Sequence, residues 1–355
     1  MADSAVYEAS PIKRNRATRD EMAERAEFLI AYAAEQNPVT VRQLYYRAEI
    51  THLPGIDKEE GSYNKIQRQV LLLRRAGELP YENIADLTRW MRKPTTWDSI
   101  EAALQETARF YRKALWRDAE AYVEIWCEKD ALAGVIYPVT SQYDVPLMVA
   151  RGFSSETFCF EAVEARVGDD RPYIVYYLGD FDRAGQQAAN ALKEKLERFA
   201  AERGVDVEFV HLAISEDDVS EFDGDTVRVS ITIGGHEFDR RLSTRPHKRK
   251  SRADQLWPYP YACELDAIEP DDLRDLVRWA IEAHLSADQL ALLQMIEASE
   301  REQIRGLVAK LADDKAAEDA EFEEEPEQAV ADERNQPEPD APERPQRIIL
   351  KRPTQ

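Results

Sequence analysis

The sequence predicts an α/β multi-domain protein: a helical, winged-helix-like N-terminal domain, then a domain built on a parallel sheet, then a disordered acidic tail. Three observations predict it. Apolar residues recur with helical period through the first hundred positions. Two apolar runs, 121–127 and 173–178, break at acidic residues and give way to helical patterns, as strands and helices do when they alternate around a parallel sheet. After residue 312 the composition turns acidic and proline-rich. The expected divisions are a flexible N-terminus (1–19), the winged-helix-like domain (20–95), a connecting helix (96–120), the sheet domain (121–312) and the tail (313–355).

Residues 20–36 carry Met22, Ala26, Leu29 and Ala33 along one side of a helix, which Asn37-Pro38 ends. Thr40 caps the next helix, with Gln43 as its box partner. Val41, Leu44, Tyr45 and Ala48 form the buried stripe of that helix. Tyr46 falls off the stripe, beside Arg42 and Glu49, so it is expected to face outward while Tyr45 packs. On spacing alone Tyr46 is also compatible with an ordinary surface tyrosine. The third helix begins near Ser62. Ile66, Val70 and Leu73 make its core face, while Lys65, Arg68 and Arg75 line another, and Gly77 stops it. A basic third helix followed by a turn suggests a reader of the DNA major groove. Arg89, Arg92 and Lys93 follow as candidate phosphate contacts, ahead of a helix expected over 97–118.

In the sheet domain, Ala121–Cys127 reads as a strand, broken by Glu128-Lys129-Asp130 before a helix. VPLMVARG and TFCFEAV fit a further strand and helix, and YIVYYLGDFDRAG repeats the first pattern. Ligands of such sheets gather at the carboxyl ends of the strands. Glu128, Asp180 and Asp182 fall there, and the last two share one face of an extended backbone. Three carboxylates repel unless a cation joins them, and hard oxygen donors suit Mg²⁺. The plainer alternative is an acidic loop that caps a helix. Glu124 lies deeper in its strand, where a carboxylate needs a partner, and is expected behind Glu128 with Lys129 rather than in the first rank. Residues 225–243 alternate in the strand manner around Gly234-Gly235, a hairpin insertion. Residues 245–252 hold five basic side chains, among them Lys248, Arg249 and Lys250, as a candidate phosphate-binding loop.

Charge is segregated. The net is −22 overall, zero over 1–120, −8 over 313–355 and therefore −14 over 121–312, which disfavours passive electrostatic binding of nucleic acid by the chain as a whole. The tail holds six of the 18 prolines and too few apolar residues to offset its ordering entropy. No apolar run approaches a membrane span, and no signal peptide opens the chain. Three distant cysteines without a CxxC argue against a disulfide framework or zinc site and fit a reducing cytoplasm. No glycine-rich nucleotide loop is present.

Glu128-Lys129-Asp130-Ala131 after a strand, with Asp180-Phe181-Asp182 and Gly185, resembles the Toprim motif of a glutamate followed by DxDxxG. With Val41-Arg42-Gln43-Leu44-Tyr45-Tyr46-Arg47 ahead of it, residues 20–300 resemble the A subunit of type IIB topoisomerases, the meiotic double-strand-break transesterases and their stand-alone bacterial and phage relatives. The resemblance implies Tyr46 as nucleophile with Arg42 beside it. It also implies Mg²⁺ held by Glu128, Asp180 and Asp182, a 5′-phosphotyrosyl adduct on double-stranded DNA, and a homodimer with sites shared between protomers. It further implies a nucleoid-associated cytoplasmic protein and an ATPase supplied by a separate subunit. Cys263-Glu264-Leu265-Asp266-Ala267-Ile268 is similar to a late family segment, to which the sequence assigns no role. The rivals are a hydrolytic metal nuclease and a non-catalytic DNA-binding protein.

Overall fold

The computed structural model describes residues 17–58, 60–85, 96–150, 156–247, 254–285 and 287–323. The candidate basic residues Arg89, Arg92, Lys93, Lys248, Arg249 and Lys250 lie outside them, as does the tail beyond 323. The chain divides into two compact units, Met1–Pro94 with Arg112–Glu297, and Thr95–Tyr111 with Ala298–Gln355.

The first unit opens with α1 (Arg19–Glu35), α2 (Val41–Ile50) and α3 (Glu60–Ala76). The Thr40 box is present in both directions: the Gln43 N–H donates to Thr40 Oγ1 at 3.1 Å, and the Thr40 N–H to Gln43 Oε1 at 3.0 Å. α3 starts two residues before Ser62, whose hydroxyl instead bonds Asp57 Oδ1 at 2.5 Å. In place of a wing hairpin, the described residues here show one bridge, Val39 to Ile84.

A parallel sheet of order β2-β1-β3-β4 follows, made of β1 (Tyr122–Cys127), β2 (Leu147–Val149), β3 (Tyr173–Leu178) and β4 (Val207–Ala213). All six side chains of β3 are buried, which is why this strand reads as a continuous apolar run rather than an alternation. Trp126, Tyr173 and Tyr177 enter one core with Leu192 and Leu196 of α7 (Arg183–Arg203) and Cys159 of α6 (Glu156–Glu164). Val123, Ile125 and Leu178 enter the other with Leu132 and Ile136 of α5 (Asp130–Gln142) and Leu273 and Leu276 of α8 (Pro270–Glu282).

The predicted insertion is an antiparallel module of β5 (Val219–Ser220), β6 (Thr226–Ile233) and β7 (His236–Ser243). Its turn places Gly234 and Gly235 at φ 58° and 80°, the positive pair that a two-residue hairpin of this hand requires. Two short strands, β8 (Arg245–Pro246) and β9 (Tyr261–Ala262), pair beyond it.

The second unit holds α4 (Ile100–Phe110) and most of α9 (Ala287–Glu323). The helix expected over 97–118 stops at Phe110; Leu115 and Trp116 beyond it are buried in the first unit's core instead. α9 runs through 313–323, inside the span expected to be disordered. Those residues are mostly alanine, glutamate, aspartate and lysine, and extending an existing helix avoids the cost of a new nucleus. No described helix is long and apolar enough to cross a membrane.

Candidate active site

Glu128 and Asp180 follow the ends of β1 and β3, which pair in register from Tyr122↔Tyr173 to Cys127↔Leu178. The Asp180 N–H donates to Glu128 Oε2 at 3.1 Å, tying the two strand ends together. Two glycines make this close packing feasible. A Cβ on Gly179 would lie 2.6 Å from the Tyr177 ring, and one on Gly185 would lie 2.4 Å from the Asp180 carbonyl oxygen. The glycine of the DxDxxG pattern is therefore required by contact: it lets the first turn of α7 rest on the Asp180 backbone. Asp182 caps that helix, its Oδ1 accepting the Gly185 N–H at 2.8 Å. Its other oxygen meets Arg245 Nη2 at 2.7 Å.

Lys129 is the hub. Its Nζ lies 2.9 Å from Asp180 Oδ1, 3.4 Å from Glu264 Oε2 and 2.5 Å from Asp266 Oδ2. Glu264 and Asp266 arrive because Phe181 and Cys263 exchange both backbone hydrogen bonds, at 2.8 and 2.9 Å. The Leu265 N–H then donates to Asp180 Oδ1 at 2.7 Å. Glu264 also pairs with Arg245 Nε at 2.8 Å and Arg42 Nη1 at 3.7 Å. Burial pushes the Asp180 carboxyl up to about 7 even though Lys129 pulls the other way. Burial acts on Glu264 too, but Lys129, Arg42 and Arg245 together outweigh it and hold that carboxyl below its ordinary value. Lys129 is half-buried, and its three carboxylates keep it charged against the cost of desolvation.

The two tyrosines of α2 are both buried, so the expected outward-facing Tyr46 is corrected: it is 5% exposed. A helix facing one neighbour leaves its other side to solvent, whereas α2 is packed between α1 and α3 on one side and residues 265–267 on the other. Tyr45 lies on the helical side, its ring at 83° to that of Tyr63 and its hydroxyl donating to the Asp57 carbonyl at 3.1 Å. Tyr46, with Gln43, Arg47 and Ile50, lines a small cavity of about 10 Å³ against 266–269. Gln43 Nε2 donates to the Ile268 carbonyl at 3.3 Å and Thr40 Oγ1 to Asp266 at 3.4 Å, which docks the helix there. Burial, then the charge of Glu264, raises the Tyr46 phenol above its ordinary value; Lys129 and Arg42 oppose the rise. Burial takes Tyr45 up to about 12.

The remaining sequence-predicted residues are dispersed. Glu124 accepts from Trp126 Nε1 and Tyr173 OH, both at 2.7 Å, within the sheet's other core, so it is a satisfied buried carboxylate. Lys65 donates to the Gly55 carbonyl at 2.8 Å, and Arg75 is exposed. Arg68 lines a cleft of about 810 Å³ whose walls also include Arg42, Tyr63, Arg74, Lys129 and Asp266.

The donor chemistry of Glu128, Asp180 and Asp182 suits Mg²⁺, but their arrangement does not fit it. Among the described residues no three carboxylate, imidazole or thiol groups are placed to hold a metal ion. Asp180 is held by Lys129 and the Leu265 N–H, and Asp182 by the Gly185 N–H and Arg245. Sequence reasoning missed Arg245, Glu264 and Asp266 as members of the site. The acidic pattern of 264–266 was visible, but nothing local signals that it pairs with Asp180. No protein-family model, curated protein or solved structure matches the chain.

Proposed function

We propose that the chain is a DNA-cleaving transesterase of the type IIB topoisomerase A-subunit kind, with Tyr46 as its nucleophile. One observation carries the reading. Tyr46 and Arg42 on α2 share a neighbourhood with Lys129 and, through it, Asp180, although these residues come from three distant stretches of sequence. In the reaction the Tyr46 oxygen bonds to phosphorus and the bond to the 3′ oxygen breaks. In net, the phenolic proton passes to that departing hydroxyl. Arg42 and Lys129 offset the charge that grows on the phosphoryl oxygens. The partners in this reading are double-stranded DNA, a second copy of the chain and a separate ATPase subunit, in the nucleoid. Mg²⁺ enters it as a requirement to be tested, not as a step.

The test is capture of labelled duplex DNA on denatured protein, with and without Mg²⁺ or Mn²⁺ and with candidate ATPase subunits. Tyr46→Phe is expected to abolish the adduct and Tyr45→Phe to retain it. Cutting without an adduct would favour the hydrolytic nuclease. A second reading, a non-catalytic DNA-binding protein, is favoured by the burial of Tyr46 and the raised pKa of its phenol. Binding without cutting under all these conditions would select it.

A further inference from the structure

Three cations from three separate elements converge on one carboxylate. Arg42 comes from α2, Lys129 from the turn after β1 and Arg245 from β8, and all three lie within 3.7 Å of Glu264. Each cation has a second anchor. Arg42 stacks on the Tyr63 ring at 4.5 Å, Lys129 is held by Asp180 and Asp266, and Arg245 is held by Asp182 at 2.7 Å. The trio would therefore stand if Glu264 moved away. Planar guanidinium groups paired with an ammonium make a typical oxyanion receptor, and a carboxylate and a phosphate diester carry the same single charge. Exchanging one for the other conserves the charge of the site. Arg42 and Lys129 also line the 810 Å³ cleft, which gives a ligand a route to them.

From this convergence we infer that Arg42, Lys129 and Arg245 form a phosphate-binding site that Glu264 occupies as an internal competitor. The ligand is a phosphate oxyanion. DNA as its source rests on the proposed function; the receptor itself does not.

The test measures binding of inorganic phosphate by calorimetry and of a labelled duplex by anisotropy, across a salt series. Glu264→Gln keeps the shape and removes the competing charge, and it is expected to tighten both by about tenfold. Glu237→Gln on the exposed hairpin removes the same charge elsewhere and is the control. Adding Arg245→Gln to the Glu264→Gln chain is expected to erase the gain. Tightening of phosphate alone keeps the receptor and removes DNA as its ligand, which would count against the proposed function instead. A gain no larger than that of Glu237→Gln overturns the inference. Should Glu264→Gln fail to fold, Arg245→Gln in the parent chain decides. It must weaken phosphate binding more than Arg241→Gln on the hairpin, and an equal effect overturns the inference.

Discussion

The hairpin and the strand-end site each carry a lattice of ion pairs, built from similar groups at similar distances, yet Asp239 on the one and Asp180 in the other, each beside a cation, titrate in opposite directions. On the hairpin, Arg228 meets Asp239 at 2.5 Å and Arg241 meets Glu221 and Asp223 at 3.0 and 3.2 Å, with every member a third or more exposed. There Arg228 draws the Asp239 carboxyl down, and hydrogen bonds from Thr226 take Asp223 down to about 2. At the site, Lys129 meets Asp180 at 2.9 Å, yet Asp180 rises to about 7 because burial outweighs the cation. Proximity alone therefore does not decide what an ion pair does. In the exposed lattice each member is nearly indifferent to losing its partner. At the site Lys129, Asp180, Glu264 and Asp266 are far less exposed than the hairpin pairs, so a lone charge among these four lacks both water and a counterion.

The largest effect is expected of Lys129→Met, which strips the shared cation from Asp180, Glu264 and Asp266. Urea unfolding is expected to show a loss of about 3 kcal/mol, in the range for removing one partner of a buried pair. A loss under about 0.5 kcal/mol would place the site lattice in the same class as the surface one.

Asp218 sits at the edge of the hairpin module, half-buried, and accepts from the Ser215 N–H and Oγ at 2.6 and 2.8 Å. Burial outweighs those bonds and pushes its carboxyl up to about 6. A carboxyl whose folded pKa lies above its unfolded one holds its proton more tightly when folded. Its stabilising contribution is complete below about pH 4 and is lost as the pH rises through about 6. Asp218→Asn is expected to flatten the fall in stability across that window, by on the order of 1 kcal/mol. An unchanged slope would show that the hydrogen bonds, not burial, govern this group.

The smallest effect is expected for Arg228→Gln. The melting midpoint should stay within about 2 °C of the parent, as for an exposed pair. A larger fall would mean that the hairpin lattice acts as a structural unit.

Much of the scaffold was legible in sequence because it rests on local rules. Thr40 and Gln43 form a capping box at their fixed spacing, Gly234-Gly235 specify a hairpin, and Asp180-Phe181-Asp182 with Gly185 mark a strand end turning into a helix. The strand-end positions of Glu128 and Asp180 followed from the alternation of strands and helices. What sequence could not reveal was set at long range. Facial assignment placed Tyr46 on the surface because it treats a helix as packed on one side, and α2 is covered on both. It gave no role to Glu264 and Asp266, because only the bridge between Phe181 and Cys263 carries them to Lys129. Arg245 was one basic residue among several until Asp182 and Glu264 singled it out. The tail was judged by its average composition, which hides a helix-forming start.

The Phe181–Cys263 bridge also has a temporal meaning. It joins positions 82 residues apart, whereas the β6–β7 hairpin closes across two glycines and α7 forms from neighbours in the chain. Closing a long loop requires chain entropy to be given up before any contact repays it, so contacts of high sequence separation slow folding. The hairpin and α7 lie inside that loop and can form on the fast, local timescale. By that argument the hairpin and α7 precede the bridge, and Glu264 and Asp266 reach Lys129 only after the longer loop has closed.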